Sequence, residues 1–84
     1  MAKVLKFYAE WCGPCKSLAS ILDGANVGTD IEGVDIDKDP EVAAEYAIRS
    51  VPTMVYVDEN GTEISRITGS QSLDSIKKWL SSSI

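Results

Sequence analysis

The chain has 84 residues, with 8 basic against 13 acidic side chains, a net charge of −5 and no histidine. That length allows one domain, residues 1–84, with a thin core; the charge excludes nucleic-acid binding through a basic face, which needs clustered Lys and Arg to neutralise phosphates. No apolar stretch approaches the roughly 20 residues that span a bilayer, and the segment from Met1 to Lys6 carries no apolar leader core, so a cytoplasmic location without membrane attachment is expected.

Val4 to Ala9 reads as a strand, apolar apart from Lys6, as expected where both faces are covered. A helix starts at Pro14, with Leu18, Ile21 and Leu22 at helical spacing and Gly24 as its stop. Residues 25 to 30 form a loop. Glu32 to Ile36 is a second strand, with Val34 and Ile36 on one face. Asp39-Pro40-Glu41 opens a second helix through an N-cap acid, a proline in the first turn and a further acid. Val42, Ala43, Tyr46 and Ala47 are its expected buried stripe. Thr53 to Val57 and Glu63 to Thr68 are strands joined by the turn Asp58-Glu59-Asn60-Gly61, an antiparallel hairpin. Ser72 caps a last helix that presents Leu73, Ile76 and Leu80 on one side, with Trp79 half-buried. The order β-α-β-α-β-β-α predicts an α/β fold with a four-stranded mixed sheet and helices on both faces. Strands one and two are then parallel, with the hairpin antiparallel on the other side.

Cys12 and Cys15 are the only cysteines, separated by Gly13-Pro14. Closing so small a ring contributes only about 1.9 kcal/mol in the chain-entropy model, against about 3 for fifteen residues. That makes a poor staple and a good place for sulfurs that exchange a bond with a partner. Cys12 stands where strand one gives way to the helix, so free N–H groups and the positive end of the dipole stabilise its thiolate. Pro14 suits the helix start because it has no N–H to leave unpaired. Cys15, deeper in the helix and expected to be more shielded, can bond Cys12 once it has lost its proton. Cys12 is therefore assigned as nucleophile and Cys15 as resolving thiol. A zinc site needs three or four protein ligands, which this pair cannot supply within one monomer, although a metal bridging two copies stays open. Two inert buried thiols are the remaining alternative, and they give Gly13-Pro14 no packing purpose. The acidic run from Asp30 to Glu45 reads as a solvated face, or else as a docking surface for a basic partner.

Phe7-Tyr8-Ala9-Glu10-Trp11-Cys12-Gly13-Pro14-Cys15-Lys16 resembles the active-site segment of thioredoxins. Arg49-Ser50-Val51-Pro52-Thr53 is similar to their cis-proline loop, Gly69 to a family glycine beside the groove, and Val34-Asp35-Ile36-Asp37 to the strand entering the second helix. The resemblance spans residues 3 to 80. Glutaredoxins usually carry Pro-Tyr between their cysteines, so Gly13-Pro14 favours thioredoxin. The resemblance implies a thioredoxin-like fold, a cis Val51-Pro52 bond, and a shallow substrate groove of Trp11, Ile36, Val51, Pro52 and Gly69 beside Cys12. It also implies protein-disulfide reduction by a monomer with no bound cofactor or metal, since the cysteine pair carries the electrons. NADPH enters only indirectly, through a thioredoxin reductase or a glutaredoxin-type donor. Disulfide-containing proteins such as ribonucleotide reductase are the expected targets. Rival functions are a glutaredoxin-like, oxidising or isomerising oxidoreductase, and a binding subunit that uses the groove alone.

Two departures stand out. The strand and helix that usually open the family's fold have no room before Cys12, so a trimmed core is expected. The family's buried aspartate matches Lys6, and its lysine neighbour matches Gly33. Lys6 then either snorkels to the edge, sits charged below the cysteines and favours their thiolates, or sits neutral and takes the proton of Cys15.

Overall fold

The computed structural model describes residues 2–83; Met1 and Ile84, which the single-domain expectation and, for Met1, the leader expectation also take in, lie outside them. The elements are β1 (Lys3–Tyr8), α1 (Gly13–Leu22), β2 (Ile31–Asp35), α2 (Pro40–Glu45), β3 (Thr53–Val57), β4 (Glu63–Thr68) and α3 (Leu73–Ser82). They form one four-stranded sheet of order β2-β1-β3-β4. β1 runs parallel to β2, with Lys6 opposite Gly33, and antiparallel to β3, with Lys6 opposite Met54. β3 and β4 pair as the predicted hairpin, with a bulge between Tyr56 and Val57.

Strand alternation divides the core into two layers. On one face Val4 and Met54 pack with Leu18 of α1 and with Ile76 and Leu80 of α3. On the other, Leu5, Phe7, Val34, Val55 and Val57 form a layer covered by Val42, Ala43 and Tyr46, so helices lie on both faces. Phe7, Leu18, Val55 and Ile76 are completely excluded from solvent. Trp79 is half-buried and meets Tyr56 edge-on, with ring centres 6.5 Å apart.

The punctuation residues act as their chemistry predicts in three of four places. Gly24 takes φ +73° just beyond α1, a left-handed geometry that ends the helix cheaply for glycine. In the hairpin turn, Asp58 Oδ1 accepts the N–H groups of Asn60 and Thr62 at 2.9 and 3.0 Å. Ser72 Oγ caps α3 by accepting the Ser75 N–H at 3.1 Å. The second helix is the exception. Asp39 occupies the cap position of α2 without a side-chain cap bond, and the helix ends at Glu45, so no residue of it is fully buried. Ala47, expected in the buried stripe, is exposed at φ 51°. The chain turns outward there, and the Ile48 N–H donates to the Ala43 carbonyl at 2.9 Å, which carries Ile48 onto the Phe7 layer instead.

Candidate active site

β1 ends at Tyr8, and Ala9, only 1% exposed, carries the chain into the turn before α1. The Cys12 N–H donates to the Ala9 carbonyl at 3.2 Å, and the Cys12 carbonyl accepts from Lys16 at 3.3 Å. Cys12 is thereby fixed as the N-cap of α1, with Pro14 in the first turn. Its Sγ accepts the Cys15 N–H at 3.1 Å, so a side-chain sulfur does what a Ser or Asp oxygen does at other caps. A donor aimed at a sulfur favours the charged form of that sulfur in the reduced protein. The two cysteines form a disulfide, with Cα atoms 5.2 Å apart.

Burial does not separate the two sulfurs as the sequence suggested: Cys12 is 5% exposed and Cys15 4%. The reason is the roof over Cys12. Val51 and Ile36 pack on the Ala9, Cys12 and Cys15 cluster, and the Val51 carbonyl lies 3.6 Å from Cys12 Sγ. Position distinguishes them instead, with Cys12 at the cap beneath Val51 and Cys15 one turn into α1.

Val51-Pro52 is a cis peptide bond. Pro52 is fully buried, so, against expectation, its ring does not line an exposed groove. Its carbonyl accepts the Gly69 N–H at 2.8 Å, and Gly69 leaves β4 at φ +82°, a conformation that glycine alone adopts readily. Thr53 Oγ1 donates to the Ser50 carbonyl at 2.7 Å, bracing the same loop. The Val51 backbone itself lies outside the β ladder, which begins at Thr53. Trp11 is the most exposed large apolar residue beside the pair, at 69%, and its Nε1 donates to Asp37 Oδ2 at 2.9 Å.

Of the residues singled out in the sequence, Ile36 and Val51 pack on Cys12 and Cys15, Trp11, Gly13 and Pro14 adjoin them along the chain, and Gly69 is tied to Pro52 in the loop that carries Val51. Lys6 lies on the strand behind, its ammonium 5.8 Å from the centre of the Tyr8 ring. Three residues escaped sequence reasoning. Asp37 holds the Trp11 indole. Asp35, counted among the solvated acids, is 6% exposed and shapes the turn that presents Asp37: its Oδ1 accepts the Asp37 N–H at 2.9 Å, and its carbonyl accepts from Lys38 and Asp39. Tyr8 packs on the cysteine cluster and fills the space above Gly33. The aspartates alternate with Val34 and Ile36 at the end of a strand, a pattern that marks the apolar pair as core-facing and gives no sign of the aspartates' roles.

Among the described residues no cluster of His, Cys, Asp and Glu could hold a metal ion, and no helix is long and apolar enough to cross a membrane. Two sulfurs at a helix start, one of them accepting an N–H, constitute a dithiol able to exchange a disulfide with another molecule.

Comparison with known proteins points the same way. The family model described as Thioredoxin matches residues 1–82. The thioredoxin of Rickettsia felis is 36% identical over an alignment of 87 residues, covering 96% of this chain and 80% of that protein. The thioredoxin of Chlamydia trachomatis is 37% identical over 81 residues, covering 93% and 78%. Among solved structures, that of Fasciola hepatica thioredoxin is similar with a TM-score of 0.85 at 27% identity, covering 99% of this chain and 81% of that one.

Proposed function

The chain belongs to the thioredoxin family, a family of thiol–disulfide oxidoreductases, and on that premise we propose that it reduces protein disulfides, with Cys12 attacking and Cys15 resolving. The observation that carries the assignment is the Cys15 N–H donated to Cys12 Sγ at 3.1 Å. It gives Cys12 Sγ a backbone N–H donor, and among the described residues no hydrogen bond is donated to Cys15 Sγ. The Cys12 thiolate attacks one sulfur of a target disulfide, forming a mixed disulfide and releasing the other target sulfur, which takes up a proton. Cys15, deprotonated, then attacks Cys12 Sγ, forming the Cys12–Cys15 bond and releasing the second target thiol. The target gains two electrons and the protein loses two.

The exposed Trp11, with Ile36 and Val51, offers apolar contact beside Cys12, and the unladdered Val51 backbone suits pairing with an extended target segment, as in strand addition. Gly13 and Pro14 set the helix start, and Pro52 and Gly69 hold the loop opposite. The protein needs no bound cofactor or metal for this cycle. It works as a monomer in the cytoplasm as an electron carrier. Thioredoxin reductase or a glutaredoxin-type donor restores the dithiol, and ribonucleotide reductase is one target.

Insulin-disulfide reduction tests this directly. Cys12→Ser is expected to abolish it, while Cys15→Ser accumulates a mixed disulfide on Cys12. Turnover surviving in Cys12→Ser, or a mixed disulfide trapped on Cys15, would overturn the assignment.

A further inference from the structure

The three roles open to Lys6 in the sequence are separated by its surroundings. Alternation along β1 turns Lys6, like Val4, toward α1 and α3, while Leu5 and Phe7 face α2. On that side a cavity of about 270 Å³ is lined by Lys6, Tyr8, Glu10, Cys15, Lys16 and Ala19. The resolving cysteine and the Lys6 side chain both line it.

Tyr8 connects the two. Its ring packs on the Ala9, Cys12 and Cys15 cluster, and the Lys6 ammonium lies over the ring at 5.8 Å from its centre, within reach of cation–π attraction. That attraction acts on the ammonium, the form in which the side chain serves as a cation. Gly33, paired with Lys6 across the ladder, makes this possible. A β-carbon at position 33 would stand 3.2 Å from Tyr8 Cε1, tighter than ordinary contact, so its absence leaves the bed in which the ring lies. Among the described residues the ion pairs formed by lysine and arginine involve Lys3, Arg66 and Lys78, and Lys6 is in none of them. Its charge is uncommitted to a carboxylate.

We propose that Lys6 is a positioning cation for the resolving step: held charged over Tyr8 by the gap at Gly33, it stabilises the Cys15 thiolate across the cavity. Cys15 then releases its proton to solvent more readily and attacks the mixed disulfide sooner. The charged groups that line this cavity with Cys15 are Lys6 on β1, Glu10 in the turn and Lys16 on α1, and the buried Asp35 of β2 stands opposite Tyr8 in the ladder. Glu10 and Lys16 are exposed and screened by water, whereas Lys6 is half-buried, where a charge acts with less screening. The proposal rests on Cys15 being the resolving thiol.

The experiment is a titration of the Cys15 thiolate by its ultraviolet absorbance in the Cys12→Ser background, which needs no substrate. It can therefore fail while insulin reduction succeeds, and the reverse. Lys6→Met is expected to raise the midpoint by about one pH unit, a tenfold loss of thiolate at a given pH below it. Lys6→Arg is expected to hold the midpoint of the parent, because the charge remains. Gly33→Val, which displaces the Tyr8 ring, is expected to raise it part of the way. Lys6→Gln supplies the same measurement if Lys6→Met fails to fold. An unmoved midpoint in the uncharged variants, or the full shift appearing in Lys16→Met instead, would overturn the proposal.

Discussion

Phe7 and Lys6 are neighbours on β1, and they stand on opposite sides of the sheet with opposite tasks. Phe7 is completely buried in a layer of Leu5, Val34, Val55 and Val57 that the strands themselves supply. The helix above that layer, α2, sends no fully buried residue into it. On the other side the helices do the sealing, through Leu18, Ile76 and Leu80, and they leave Lys6 and Tyr8 partly open beside the cysteines. Adjacent positions thus divide stability from chemistry by the two-residue period of a strand alone.

The largest expected effect tests that division. Phe7→Ala removes a ring from the closed layer and should cost about 3–5 kcal/mol in urea unfolding, a large share of the 5–15 kcal/mol that holds a small domain together. Lys6→Met, one residue away, should leave the urea midpoint almost in place, since surface and half-open positions typically move stability by less than about 0.5 kcal/mol. Equal losses in the two variants would break the comparison.

The strands and the long helices were legible because their patterns are unambiguous. β1, β3 and β4 are apolar or alternating runs bounded by turn residues, and the hairpin turn carries its own Asp58 and Gly61 signature. Cys12, Pro14 and Cys15 were legible from their spacing at the start of a helix, whereas the cis Val51-Pro52 bond followed only from the resemblance to thioredoxins. What escaped depended on three-dimensional neighbours. Ala47 has the right spacing for a helical stripe, yet α2 stops at Glu45 because Ile48 is the residue the Phe7 layer takes in. Asp35 looks like any other acid of its run, and only the turn that it bonds explains its burial. The near-equal burial of Cys12 and Cys15 depends on the Val51 roof, which arrives from a loop 39 residues away in sequence. No spacing rule reports that approach.

A smaller effect is expected where the helix-sealed side begins. Ser72 Oγ accepts the Ser75 N–H at the start of α3, the helix that supplies Ile76 and Leu80 to the core. Ser72→Ala should cost about 1 kcal/mol by urea unfolding. Ser72→Asp should recover it, because an acid at the cap also meets the positive end of the dipole. If Ser72→Ala costs nothing, packing alone sets the start of α3, and the two sides of the sheet differ less than the structure implies.

The smallest effect concerns how α2 stays on its side with so little buried. Its end is pinned from β4 and the hairpin turn: Tyr46 donates its hydroxyl to the Gly61 carbonyl, and Arg66 Nη2 donates to the Tyr46 carbonyl at 2.7 Å. Arg66 is itself oriented by Glu63, which accepts from Nε at 2.8 Å and from Nη2 at 2.6 Å, a two-pronged pair. The Arg66 guanidinium, first through these hydrogen bonds, holds the Glu63 carboxyl below its usual range. A depressed carboxyl value contributes stability that is fully present above the unfolded-state value and is lost as pH falls through the lower folded-state value. Glu63→Gln should therefore cost a few tenths of a kcal/mol, up to about 1, at neutral pH, the range of half-exposed pairs. The gap between wild type and Glu63→Gln should close as pH drops below the ordinary glutamate value and on through the depressed one. Taking the difference between the two proteins cancels the other carboxylates, which titrate in both. A gap that persists undiminished in acid would mean that Glu63 braces Arg66 by shape rather than charge, and that α2 depends on the Tyr46 contacts alone.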